Sequence, residues 1–104
     1  MRKARVDIHP EKLQTSAEIL RALAHPLRMK ILSFIDQNGT INVNKIYNTL
    51  KLEQSITSQH LRILRLAGLV ETKRDGKFIH YNLRYPKIAN TVKAINNFLA
   101  EDEA

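Results

Sequence analysis

The stretch Gln54-Ser55-Ile56-Thr57-Ser58-Gln59-His60-Leu61-Arg62-Ile63-Leu64-Arg65-Leu66-Ala67-Gly68-Leu69-Val70 decides how this chain reads. At about 100° per residue, Ile56, Thr57, His60, Leu61, Ile63, Leu64 and Ala67 gather on one broad arc of a helix. Ser55, Ser58, Gln59, Arg62 and Arg65 fall on the other side, with Leu66 as the single apolar intruder. Gln54 or Ser55 is placed to cap the start, and Gly68 stands where helices end in a left-handed residue. One face can therefore pack on a core. The other offers hydroxyls, amides and two arginines, with no acid among them. An ordinary surface helix mixes Glu with Lys, so an acid-free polar face points to a polyanion. Amides and hydroxyls can read base edges in a major groove, and arginine reads guanine or holds phosphate. The pattern is that of a DNA recognition helix.

A basic hairpin follows. Leu69-Val70-Glu71-Thr72-Lys73 and Lys77-Phe78-Ile79-His80-Tyr81-Asn82-Leu83 read as strands, the second alternating Phe78, His80, Asn82 against Ile79, Tyr81, Leu83. Arg74-Asp75-Gly76 lies between them, and Asp-Gly is a strong tight-turn signal. Lys73, Arg74 and Lys77 surround one Asp75 at the tip. Such a hairpin beside a groove helix can lie along phosphates or enter the minor groove.

Upstream, Pro10 and Glu11 fit the first turn of a helix over Pro10–Ala24, with Leu13, Ala17, Leu20 and Ala24 as a stripe flanked by Ile19 and Leu23. Pro26 opens a second helix buried through Leu27, Ile31, Leu32, Phe34 and Ile35, and Asn38-Gly39 ends it. Ile41 marks a short strand. A third helix spans Val43–Leu50 on Val43, Ile46, Tyr47 and Leu50, and Lys51-Leu52-Glu53 turns into the recognition helix, completing a helix-turn-helix. After the hairpin, Pro86 opens a last helix. Its Ile88, Val92, Ile95 and Leu99 recur at spacings of 4, 3 and 4, a narrow coiled-coil-like stripe beside Phe98. That stripe can close the monomer core or form a dimer seam.

The expected fold class is mainly α with a small β-hairpin wing. The order is helix, helix, short strand, helix, helix, strand, strand, helix. At 104 residues one domain is expected, over residues 10–100, between a basic arm (residues 1–9, with Arg2, Lys3 and Arg5) and an acidic tail (101–104). The chain carries +7 overall. Glu101, Asp102 and Glu103 hold three of its ten acids, so residues 1–100 set 17 basic against 7 acidic residues. That field suits a polyanion better than a membrane, since no segment is long and amphipathic-basic enough for an interfacial anchor. With no cysteine, disulfides, thiolate metal sites and cysteine nucleophiles are excluded. No apolar run approaches the roughly 18 residues of a membrane span and no signal-peptide pattern opens the chain, so the cytoplasm is the expected compartment.

Three motifs together resemble the ArsR-type winged helix-turn-helix repressors. Ala22-Leu23-Ala24-His25-Pro26-Leu27-Arg28-Met29-Lys30-Ile31-Leu32 is similar to that family's opening Ala-Leu-x-x-Pro-x-Arg-x-x-Ile-Leu. Gln54–Val70 resembles its recognition helix, and Arg74-Asp75-Gly76-Lys77 through Tyr81-Asn82-Leu83 resembles its wing. The resemblance implies a repressor that binds double-stranded DNA as a homodimer, pairing through the first and last helices. Leu13, Ala17, Leu20, Ile88, Val92, Ile95, Phe98 and Leu99 are the expected interface. It also tips Arg28, in the first turn of the second helix, toward a phosphate contact. The expected DNA surface is Arg28, Gln54, Ser55, Thr57, Ser58, Gln59, Arg62, Arg65, Lys73, Arg74 and Lys77.

Many members of that family bind metals, and the resemblance allows their sites to be checked one by one. Where the family places Cys-Val-Cys, this chain has Asn42-Val43-Asn44. Its other common site draws on His, Asp and Glu of the last helix, and residues 86–100 contain none of these. His9, His25, His60 and His80 lack metal-like spacing, and Asp7-x-His9 is a very weak signal. No metal or other cofactor is expected, and any small-molecule effector is left open. No Ser-His-Asp set, phosphate loop or paired core carboxylates suggest an enzyme. Two other readings remain open. One is a winged helix that binds protein or structured RNA, for which the acid-free face of the recognition helix is unsuited apart from Leu66. The other is a nonspecific nucleoid-type DNA binder, against which the amide and hydroxyl groups count.

Overall fold

Pro10 and Pro26 open the first two helices of a computed structural model that describes residues 7–103, without the side chains of Leu99 and residues 101–103. The first six residues of the expected arm, and Leu99 of the expected dimer seam, thus lie outside the described residues. The elements are α1 (Pro10–Leu23), α2 (Pro26–Asn38), β1 (Thr40–Asn42), α3 (Val43–Leu50), α4 (Gln54–Leu66), β2 (Val70–Asp75), β3 (Phe78–Leu83) and α5 (Tyr85–Glu103). The order is the one expected from sequence, and the fold is a winged helix-turn-helix. No helix among the described residues is long and apolar enough to cross a membrane.

The core is built where α4 wedges between the other helices and the root of the wing. Ile31 and Ile35 of α2, Ile46 of α3, and Leu61 and Leu64 of α4 meet Leu69, Val70 and Leu83, all buried. The arc of α4 that packs inward is narrower than its apolar residues suggest. Thr57, Leu61 and Leu64 are buried and His60, Ile63 and Ala67 flank them, but Ile56 remains 42% exposed. Ile56 lies off the line of Thr57, Leu61 and Leu64 that faces the core.

Neither Gln54 nor Ser55 caps α4. Both already lie within the helix, the N-cap is Glu53, and its side chain makes no capping bond. Ser55 Oγ instead donates to Glu53 Oε1 at 2.9 Å. The other end closes as the sequence indicates. Gly68 takes φ +77, its N–H donates to the Arg65 carbonyl, and Leu69 N–H donates to the Leu64 carbonyl. These two bonds, with Leu64 and Leu69 both buried, make a Schellman motif that turns the chain into β2.

The wing is a three-stranded antiparallel sheet in the order β1-β3-β2. β1 pairs Thr40 with Asn82 and Asn42 with His80, which ties the hairpin to the helix-turn-helix. β2 and β3 run from Val70↔Leu83 to Asp75↔Phe78, so the turn is Gly76-Lys77 rather than Arg74-Asp75-Gly76. Gly76 has φ +61, as the first residue of a two-residue hairpin turn requires, because only such turns match the twist of paired strands. Arg74 and Asp75 consequently join the strand.

Only the first turn of α5 is seated on the rest of the described chain. Ile88 packs against the core, and Tyr85 Oη donates to Asp36 Oδ1 of α2 at 2.6 Å, a bond that pushes the phenol above its usual pKa. Further along, Val92 and Phe98 are exposed, as are Leu13 and Leu20 on α1.

Candidate nucleic-acid interface

Gln54, Ser55, Ser58, Gln59, Arg62 and Arg65 are all exposed on one side of α4. They stand there because Thr57, Leu61 and Leu64, at spacings of four and three, face the core and turn the opposite side of the helix outward. Lys73 and Arg74 on β2 and Lys77 in the turn are exposed as well. Lys77 Nζ lies 5.6 Å from the Phe78 ring centroid, so the aromatic ring supports a cation at the wing tip. Glu71 accepts from Asn82 Nδ2 across the hairpin at 2.8 Å, which occupies an acid close to this cationic surface. Arg84 and Lys87, not singled out by the sequence, approach Gly68 at the end of α4, within 3.7 and 3.9 Å of where a Cβ would stand. Cations there complement the negative end of the helix.

Two residues expected on this surface do not belong to it. Thr57 is fully buried, and its Oγ1 donates to the Glu53 carbonyl at 2.8 Å. A hydroxyl that bonds back one turn satisfies itself inside a core, which explains a polar residue on the packed arc. The same carbonyl also accepts the Thr57 N–H, so Thr57→Val leaves no orphaned acceptor. That substitution should shift the denaturation midpoint by less than the equivalent of about 1 kcal/mol. A larger loss would mean the hydroxyl holds α4 in place.

Arg28 is the second correction. Its guanidinium is turned inward: Nε donates to the Ala22 carbonyl at 2.7 Å and Nη2 to the Arg21 carbonyl at 3.0 Å, while Nη1 lies 3.2 Å from His60 Nδ1. The carbonyls at the end of α1 need donors, and a half-buried arginine one turn into α2 supplies them. With three of its five N–H groups engaged, Arg28 acts as a structural clamp in place of the free phosphate ligand expected. His25 caps α2, its Nδ1 accepting from Leu27 N–H at 3.2 Å, and its ring sits 4.7 Å from that of His60. No sequence pattern announced this cluster, because its members are 32 and 35 positions apart.

Asn42, at a position where the resembled family carries a cysteine ligand, is the N-cap of α3, and its Oδ1 accepts from Lys45 N–H at 2.9 Å. Among the described residues, no three His, Cys, Asp or Glu side chains gather in a way that could hold a metal ion.

Comparison with known proteins bears on the same surface. Residues 25–72 match the model for "Bacterial regulatory protein, arsR family". The chain is 37% identical over 84 residues to the transcriptional repressor PagR of Bacillus anthracis, covering 81% of this chain and 84% of that protein. The crystal structure of PagR superposes with a TM-score of 0.70 at 35% identity, over 85% of this chain and 100% of that one. NolR from Sinorhizobium fredii superposes at 0.72 with 31% identity, over 89% and 95%. A biofilm growth-associated repressor of Agrobacterium fabrum is 37% identical over 86 residues, 82% of this chain and 73% of the relative.

Proposed function

The chain belongs to the ArsR family of bacterial regulatory proteins, transcriptional regulators and not enzymes, and from that premise we propose that it represses transcription in the cytoplasm as a homodimer on a palindromic operator. The observation that carries this reading is the exposed row Ser58, Gln59 and Arg62 on α4, beside the cationic edge of the wing. Ser55, Ser58, Gln59 and Arg62, with Gln54 at the helix start, touch base edges or nearby phosphates. Arg65 lies a turn further on and meets phosphate. Lys73, Arg74 and Lys77 hold the flanking backbone.

The dimer is supported by what α5 lacks. Val92 and Phe98 of α5 and Leu13 and Leu20 of α1 expose large apolar side chains, Phe98 at 80%. A second copy would cover these, with Ala17, Ile88 and Ile95 completing the seam. Two recognition helices then read half-sites about one turn, roughly 34 Å, apart.

DNA selection from a random-sequence pool at near-physiological salt tests this directly. A palindrome with half-sites one turn apart is the expected product. If no sequence is enriched, the basic surface serves nonspecific binding and the base-reading roles fall. On the enriched site, Gln59→Ala should relax preference at one position per half-site, at a cost of about 1–3 kcal/mol against the cognate base. An equal loss on every sequence would place Gln59 on the backbone instead.

A further inference from the structure

His60 lies on α4 between exposed Gln59 and buried Leu61, and its Nδ1 meets Arg28 Nη1 at 3.2 Å. The same guanidinium reaches the carbonyls of Arg21 and Ala22 in the last turn of α1. One side chain thus joins the end of α1, the first turn of α2 and the middle of α4. A guanidinium only donates, so His60 Nδ1 is the acceptor and, in the neutral ring, the proton sits on Nε2. A proton added at Nδ1 would remove the acceptor and set a cation against Arg28.

We propose that Arg28 and His60 form a latch that positions the recognition helix on α1 and α2, and that the latch holds only while His60 is neutral. The proposal deepens the DNA-binding reading and rests on it for its consequence. Arg28 and His60 are positioning residues: they fix the angle at which Ser58, Gln59 and Arg62 are presented.

The surroundings of His60 favour the neutral ring. The charged and titratable groups that act on it are His25 at the start of α2 and Arg28 within α2, and no carboxylate from α1, α2, α3 or β2 offsets them. Burial, then His25, then Arg28 hold its pKa below the ordinary 6.5. In the unfolded chain the ring takes up its proton near 6.5, before the folded chain does. The latched state is therefore fully favoured above that pH and loses ground as pH falls toward the lowered folded value. Charge alone predicts the opposite for DNA, since each added proton makes the protein more cationic and should tighten binding.

Backbone hydrogen exchange on the full chain decides the matter, at about pH 7.5 and about pH 5.5, on either side of the ordinary histidine range. After correction for intrinsic rates, α4 amides should lose protection about tenfold relative to α3 amides in acid, the change expected when one bond to a charged group is broken. His60→Asn puts an amide oxygen near Nδ1 and cannot titrate, so α4 should stay equally protected at both values. Arg28→Lys keeps the charge but loses the fork, and should lower α4 protection at both. Unchanged protection in acid, an equal fall in α3, or the same fall in His60→Asn would each overturn the latch. On sites enriched by selection, the wild type should weaken about tenfold in acid and His60→Asn should not. Selection that enriches nothing would remove the DNA-binding reading, while the exchange result still decides the latch.

Discussion

Leu61→Ala should lower the free energy of unfolding by about 3 kcal/mol, the largest single effect expected in this chain. Leu61 is fully buried on α4, the helix that packs against α1, α2, α3 and β2 alike. Truncation removes the transfer free energy of the deleted carbons and leaves a cavity that four elements would have to collapse to fill. The experiment is a denaturant melt at fixed protein concentration, because the proposed dimer would add its own stability. A loss below about 1 kcal/mol would show that α4 relaxes into the space and that its seat is soft. A partly unseated α4 would also lose sequence preference before it lost general affinity, since base reading demands a fixed angle and phosphate attraction does not.

The second large effect lies at the wing. Replacing Lys73, Arg74 and Lys77 together with Ala should leave the fold intact, because all three side chains are exposed. It should lower the slope of log affinity against log salt by about 5 for a dimer, close to one unit for each phosphate no longer neutralised. Affinity should fall in parallel on cognate and unrelated duplexes, so preference survives while strength does not. The measurement is binding to the selected site and to an unrelated duplex across a salt series. An unchanged slope would mean that the wing cations do not meet phosphate, and that the net positive charge acts through α4 and residues such as Arg84 and Lys87.

The helices, their order and the exposed face of α4 were legible because each rests on local signals. Pro10, Pro26 and Pro86 stand at helix starts, Gly39 and Gly68 just past helix ends, and the apolar spacing runs between them. What was not legible depends on partners distant in sequence. Arg28 looked like a phosphate ligand because a lone arginine in a first turn gives no sign of His60 or of the carbonyls of α1. Thr57 was both an oddity on the packed arc and a candidate for the DNA surface, and its self-satisfied hydroxyl removes both puzzles. The hairpin turn falls at Gly76-Lys77 in place of Arg74-Asp75-Gly76 because Asp-Gly fixes where the chain reverses only when the register on both sides is known. The three-stranded form of the sheet was likewise out of reach, since nothing in Thr40-Ile41-Asn42 names His80–Asn82 as its partner.

That last pairing has a consequence for how the protein comes into being. β1 and β3 close a loop of about 40 residues, and α3, α4 and β2 all lie inside it. Closure costs chain entropy before any pairing is gained, so this step is slower than the winding of single helices. During synthesis, α1 and α2 can form while β3 is still within the ribosome, but β1 then has no neighbour and α4 no fixed support. A released chain that ended before Tyr81 would carry the arginines and amides of α4 without β3 to complete their support. The proposed reading surface is thus set late, when the strand carrying Leu83 closes the loop.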